Sequence, residues 1–195
     1  MRILVACEES QAVTSELRNL GHEAYSCDVQ ECSGGHPEWH IRQDVLPLLN
    51  GRREFRTQDG KLHRIEGRWD MIIAHPPCTY LTAASAVRLY GKDHLIKDPA
   101  RFEKGCKAAA FFMAIWNADC EKIAIENPLP MKIWGLPKYT QAIEPYHHGD
   151  PWRKRTCLWL KNTPPYYRQS LSSRWDCGSG AHPGVVMRRC TAGTS

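Results

Sequence analysis

The sequence predicts an α/β fold of three layers built around a mostly parallel sheet. Three observations carry that expectation. Short apolar runs alternate with stretches of helical periodicity, the first 28 residues read strand–helix–strand, and the apolar runs stop abruptly at polar or reactive residues. A strand–helix–strand unit places its two strands parallel, and in such sheets ligands sit beyond the carboxyl ends of the strands.

Arg2–Ala6 is a buried strand. Val13, Leu17 and Leu20 follow at helical spacing, with Ser10 as N-cap and Gly21 as the stop. His22–Cys27 is the second strand, ending at Asp28. Residues 29–40 form a loop rich in Gly, Pro and His, and Ile41–Asp44 is a short third strand. Residues 52–68 read as a basic insert, in which Phe55–Gln58 and Lys61–Ile65 flank Asp59-Gly60, a hairpin signal. Trp69–Ala74 is a buried strand running into His75-Pro76-Pro77-Cys78. Pro99–Ala118 is the longest helix, with a stripe of Ala109, Phe112, Met113 and Trp116. Lys122–Glu126 is a strand stopped by Asn127-Pro128, and Gln141–Glu144 and Thr156–Leu160 are two late strands. From Asn162 onward no period is sustained. The expected organisation is one domain over residues 1–161 and an irregular tail over 162–195.

Composition narrows the class. The chain has 195 residues, 42% apolar and 24% charged, which suits a globular domain and excludes collagen-like or wholly disordered chains. No apolar run approaches the ~20 residues of a membrane span. Neither a signal-peptide pattern nor an even cysteine count is present, so the nine cysteines are expected as reduced thiols in a cytoplasm. The net charge of +5 suits a polyanionic partner.

Four strand ends carry chemistry: Cys7-Glu8-Glu9-Ser10, Asp28, Pro76-Pro77-Cys78 and Glu126-Asn127-Pro128. An acid after the second strand is placed to accept ribose hydroxyls, or is simply a solvated loop acid. Two prolines stiffen the mount of Cys78, as a nucleophile requires; the bland reading is a structural cysteine. Glu126 closes an apolar strand, where a carboxyl is partly desolvated and able to share a proton, unless it is a surface acid.

Together these motifs, in this order and each after a strand, resemble the DNA cytosine-5 methyltransferases, in the short form carried by phages and prophages. The resemblance covers roughly residues 1–160. Pro76-Pro77-Cys78 resembles the family's Pro-Cys motif, Glu126-Asn127-Pro128 its Glu-Asn-Val motif, and Arg153 and Arg155 in Trp152-Arg153-Lys154-Arg155-Thr156 its arginine motif. The resemblance implies a Rossmann-like methyltransferase fold, with a seven-stranded sheet and a late antiparallel strand pair. It implies S-adenosylmethionine as cofactor and no metal. It also implies a covalent route. The Cys78 thiolate adds to C6 of a flipped-out cytosine, C5 becomes nucleophilic, and Glu126 holds N3 and the amine. Arg155, alone or with Arg153, contacts the base carbonyl or offsets nearby charge. The expected cofactor contacts are Cys7, Glu8, Glu9, Ser10, Asp28 at the ribose, Asp44 near the adenine amine, and Pro76.

The chain departs from the family at three places. Ala6-Cys7-Glu8-Glu9-Ser10-Gln11 lacks the glycines of the usual Phe-x-Gly-x-Gly loop; Ala181-His182-Pro183-Gly184-Val185-Val186-Met187 resembles the start of the family's C-terminal helix, but residues 188–195 do not continue it; and no separate recognition domain is expected. Contact with double-stranded DNA is therefore expected from Arg52, Arg53, Arg56, Lys61 and Arg64 of the hairpin. The segment 129–155 is a second candidate, with Lys132, Trp134, Lys138, Tyr139, Tyr146, His147, His148 and Trp152; Asn127 joins them. RNA offers the same base chemistry. Monomer and homodimer both remain open, and the expected setting is the bacterial cytoplasm. Three alternatives stand beside this reading. An amino-methyltransferase acting on adenine N6 or cytosine N4 would share the paired prolines, but its flanking residues differ from His75 and Cys78. A zinc module could use Cys27, Cys32, His36 and His40, or Cys177, His182 and Cys190. A catalytically inactive DNA-binding relative would explain the missing glycines.

Overall fold

A computed structural model describes residues 1–50, 54–144 and 154–165. In chain order its strands are β1 (Arg2–Ala6), β2 (Glu23–Asp28), β3 (His40–Arg42), β4 (Glu54–Arg56), β5 (Leu62–Arg64), β6 (Met71–Ala74), β7 (Lys122–Pro128), β8 (Gln141–Ile143) and β9 (Thr156–Lys161). Its α-helices are α1 (Ala12–Asn19), α2 (Leu46–Leu49), α3 (Ala86–Leu89) and α4 (Pro99–Trp116). Seven strands form one sheet in the order β3-β2-β1-β6-β7-β9-β8, and β4 pairs only with β5. The first five in that order are parallel, and β9 runs antiparallel to both β7 and β8. The chain is therefore α/β with a mostly parallel sheet and a separate antiparallel pair.

β1 explains why the sheet is covered on both sides. Its residues are apolar without alternation, the pattern of a strand buried on two faces. Ile3 and Val5 join Ala24 in one cluster, against which Val13 and Leu17 of α1 pack. Leu4 and Ala6 belong to the larger cluster on the opposite face, with Leu48 and Leu49 of α2 and Phe112 and Ile115 of α4. Trp159 of β9 closes that core, its ring 5.0 Å from Phe112.

α4 begins where the sequence placed it. Pro99 is its first residue, and the Asp98 carboxylate accepts a hydrogen bond from the Arg101 N–H at 2.8 Å. It ends at Trp116, two residues short of the expected Ala118. Gly105 on this helix carries the Trp134 ring: a Cβ there would lie 2.0 Å from Trp134 Cη2. Trp134 is thus a packing residue, and Tyr139, 6.1 Å from the Trp159 ring, is another. β7 runs on past Glu126 because Asn127 and Pro128 pair with Cys157 and Thr156 of the antiparallel strand.

The hairpin β4–β5 is a cover for the core. Phe55, Ile65 and Trp69 are buried against Tyr25, and the Gln58 N–H donates to the His40 carbonyl at 2.7 Å, fastening the insert to β3. Among its basic residues Arg64 pairs with Glu54 at 3.9 Å and Arg68 with Asp119 at 3.4 Å. Arg56 and Lys61 are exposed. No helix among the described residues is long and apolar enough to cross a membrane.

Candidate active site at the strand ends

The sheet register gathers the chemistry into one row. Cys27, Ala6, Ala74 and Ile125 stand side by side across β2, β1, β6 and β7. The next residue of each strand is Asp28, Cys7, His75 and Glu126. These four side chains leave the carboxyl edge of neighbouring parallel strands, where a ligand of such a sheet binds.

The β1 end uses its polar groups internally. Cys7 and Gln11 adopt positive φ angles of 60° and 58°, making without glycine the bends that glycine makes at no steric cost. Glu8 is 5% exposed, and its carboxylate accepts from the Val13 N–H (2.6 Å), the Thr14 N–H (3.2 Å) and the Thr14 hydroxyl (2.6 Å). It caps α1, a role the sequence gave to Ser10, which is exposed and makes no cap bond. Glu9 accepts from the Ser33 hydroxyl, tying the loop after β2 to this turn. Buried Gln11 clamps the same loop, donating to the His36 carbonyl at 2.8 Å and accepting from the His36 N–H at 3.0 Å. Gly34 of that loop passes so close that a Cβ would meet the Ser10 carbonyl oxygen at 2.4 Å.

Beside this turn lies a cavity of about 360 Å³, lined by Cys7, Cys27, Asp28, Val29, Gln30, Gln43, Asp44, Val45, Pro77 and Phe111. Three expected cofactor contacts, Cys7, Asp28 and Asp44, line it. Glu8, Glu9, Ser10 and Pro76 do not: the first two are spent on α1 and the Ser33 loop, Ser10 faces solvent, and Pro76 is buried behind Pro77 in the chain. Asp28 and Asp44 each give one oxygen to a local turn, at Gln30 N–H and Leu46 N–H. The Nε2 of Gln43 is buried without a partner among the described residues. Burial, and then the charges of Asp28 and Asp44, push the Cys7 thiol up to about 12, so it is neutral at physiological pH. Burial likewise pushes the Cys27 thiol up.

The β6 and β7 ends are different. Asn127, 1% exposed, donates from Nδ2 to the Pro76 carbonyl at 2.7 Å and so locks the Pro76-Pro77-Cys78 turn onto β7. That burial corrects its expected place at a DNA surface. His75 Nδ1 lies 3.4 Å from Glu126 Oε2, with both side chains about one-third exposed, at 31% and 32%. Cys78 is half-buried, and its carbonyl accepts from the Leu81 and Thr82 N–H groups, which turns the chain sharply after the thiol. Two buried polar atoms here have no partner among the described residues: His75 Nε2 and Asn127 Oδ1. The chains leaving the two motifs are stitched together, Ala83 N–H to the Leu129 carbonyl and Met131 N–H to the Leu81 carbonyl, both at 2.8 Å.

The antiparallel pairing of β9 with β7 sets Thr156 against Pro128, so Arg155 stands at the mouth of the site. Its Nε meets Glu144 Oε1 at 3.2 Å. Lys132 is exposed on the segment that follows β7. Arg56, Lys61 and Arg64 sit at the β3 edge, four strand spacings or about 19 Å from β7. Arg52, Arg53, Trp152 and Arg153 lie outside the described residues, as do Tyr146, His147 and His148.

Sequence reasoning passed over His75, treating it only as a flank of the prolines. It also passed over the basic face after Cys78. Arg101 donates to the Thr79 carbonyl at 2.9 Å and lies 5.0 Å above the Tyr80 ring, with the Lys104 ammonium 5.9 Å from the same ring. Arg88, Lys92 and Lys97 follow on exposed backbone, the last two lining a cavity of about 400 Å³ with Val87, Tyr90 and His94. Six Lys or Arg against three Asp or Glu over residues 79–107 was a signal available in the sequence. The zinc alternative finds its local ligands engaged elsewhere: the Cys27 thiol donates to the Gln43 carbonyl, and His40 contacts Ser26 and Gln30. Among the described residues no group of three His, Cys, Asp or Glu is arranged to hold a metal. Cys177, His182 and Cys190 lie outside the described residues. Compared with protein-family models and with curated proteins, the sequence matches none of them.

Proposed function

We propose that this chain is an S-adenosylmethionine-dependent methyltransferase acting on C5 of cytosine in double-stranded DNA, with Cys78 as nucleophile. The observation that carries the reading is the locked pair of strand ends. Asn127 fixes the turn bearing Cys78, and Glu126, the neighbour of Asn127, presents a carboxyl about one-third exposed to the same mouth. The seven-stranded sheet with β9 antiparallel also suits the Rossmann-like methyltransferase fold that the resemblance implies.

The residues divide the chemistry. C5 of cytosine is a poor nucleophile until a thiolate adds at C6. Cys78 forms that S–C6 bond, and Glu126 gives a proton to N3 as the ring accepts the electron pair. Arg155 brings positive charge to the mouth beside Pro128, where it can meet the base carbonyl. After C5 is methylated, a water molecule takes the C5 proton, the C5–H electron pair forms the C5–C6 double bond, Cys78 leaves as the S–C6 bond breaks, and the N3 proton returns to Glu126.

The cavity beside Cys7 suits the cofactor. Its volume falls in the range of small-molecule sites, Asp28 and Asp44 offer acceptors for hydroxyls and an amine, and the Gln43 Nε2, without a partner among the described residues, offers a donor. When bound, S-adenosylmethionine supplies an electrophilic methyl group. Neutral Cys7 leaves Cys78 without a competing thiolate at the neighbouring strand end. The polyanion is drawn by Arg101 and Lys104, which stand against Thr79 and Tyr80 in the turn after Cys78, with Arg88, Lys92 and Lys97 exposed on the segment that follows.

Nucleoside mass spectrometry of DNA from a methylation-deficient host tests the reading. Expression of the chain should yield 5-methylcytosine, and Cys78→Ala should remove the signal. N4-methylcytosine or N6-methyladenine would transfer the case to an amino-methyltransferase. A signal unchanged in Cys78→Ala would end the covalent mechanism.

A further inference from the structure

We infer that His75 is a positioning residue for Glu126 that also holds the proton Glu126 passes to the base. The inference rests on the reading of Glu126 as the N3 proton donor. For each proton it gives to N3, Glu126 must take up another from a neighbour. His75 Nδ1 is 3.4 Å from Glu126 Oε2, and the backbone on either side holds the two together. The His75 N–H donates to the Ala6 carbonyl at 3.0 Å, and the residues next in sequence, Pro76 and Asn127, share a 2.7 Å hydrogen bond. The Nε2 of His75 is buried without a partner among the described residues, and Nδ1 is the ring atom that meets Glu126.

The surroundings leave Glu126 as the partner. β1 contributes Cys7, a neutral thiol, and Glu8, whose carboxylate is occupied by the first turn of α1. From β7 comes Glu126 itself, and from the same turn as His75 comes Cys78. At the start of β9 Arg155 is engaged with Glu144. Among the described residues, Glu126 is the one carboxylate within 4.0 Å of the His75 ring.

The proton balance closes. As Cys78 Sγ bonds to C6, Glu126 releases a proton to N3 and takes one from His75 Nδ1, leaving a neutral imidazole and a carboxylate. When the S–C6 bond breaks, the proton returns from N3 through Glu126 to His75. No external acid is consumed.

Two measurements on the full chain test this. In the first, the His75 imidazole is titrated by NMR in the wild type and in Glu126→Gln. Removal of a charge in contact should lower the His75 midpoint by at least about half a pH unit. An unchanged midpoint overturns the pairing whatever the reaction is. In the second, methyl transfer by His75→Asn is followed from pH 6 to 8.5, since Asn can still donate a hydrogen bond but stores no proton. The rate should fall about 10²-fold at pH 8 and recover towards pH 6, where solvent supplies the proton His75 otherwise holds. A wild-type rate throughout, or an equal loss at every pH, overturns the proton-holding role. If the wild type forms no 5-methylcytosine while the titrations couple, the methyltransferase reading fails and the His75–Glu126 pair stands.

Discussion

The end of β1 and the ends of β6 and β7 occupy the same row of the sheet yet treat their polar groups in opposite ways. At β1, Glu8 accepts three hydrogen bonds and Gln11 makes a two-bond clamp on His36. At β6 and β7, Glu126 meets only His75, and two buried atoms, His75 Nε2 and Asn127 Oδ1, have no partner among the described residues. An unmet buried polar atom costs about 1–3 kcal/mol, so a fold keeps it where something else repays the loss. The first region spends its polar groups within the fold, and the second leaves some of them free for a ligand, as the proposed reaction requires.

Exchanging the two acids should break that contrast most sharply. Glu126→Gln should lower methyl transfer at least about 10²-fold with little change in melting temperature, because it removes a proton carrier and keeps the shape. Glu8→Ala should do the reverse. It strips the cap from α1 and leaves buried donors unmet, costing about 1–3 kcal/mol in denaturant unfolding while the reacting groups remain. If Glu8→Ala abolished turnover in a fully folded protein, the division between scaffold and site would have to be redrawn.

A smaller effect separates the cysteines by pH. The Cys7 thiol has an ordinary value of 9.0 and is pushed up to about 12 in the fold. Below pH 9 it is protonated in both states, and its full contribution to stability is present. Between pH 9 and 12 the unfolded chain releases the proton while the native chain holds it, so stability falls as pH rises. Cys7→Ala should flatten part of the alkaline limb of the stability curve, with the other buried thiols Cys27, Cys120 and Cys157 supplying the remainder.

Much of the sheet was legible because residues 3–6 of β1 and 71–74 of β6 read as unbroken apolar runs that stop at polar or reactive residues. The motifs at Cys78 and Glu126 were legible because each is a short string after such a run. Their meeting was not, since it depends on the register of Ala74 with Ile125, pairing segments 51 residues apart in sequence. The Glu8 cap escaped because Gln11, in a left-handed turn, separates it from the first residue of α1, whereas capping rules look next to the helix. The charge of the hairpin gave no sign of its packing role. Phe55, Ile65 and Trp69 were the better guide, because three large apolar groups in an insert need a core to cover. The turn-holding role of Asn127 was not legible either: its Nδ2 is spent on the Pro76 carbonyl, a contact between residues 51 apart in sequence.

The most direct measurement is capture of the covalent intermediate. The full chain is incubated with S-adenosylmethionine and a random-sequence duplex in which every cytosine carries fluorine at C5, so that loss of the C5 proton cannot release the enzyme. Intact-mass analysis and peptide mapping should find a DNA adduct on Cys78, absent from Cys78→Ala, with Cys7 unmodified. An adduct on another cysteine, or turnover of normal DNA with no adduct formed on the fluorinated duplex, would contradict the assignment of Cys78 as the nucleophile.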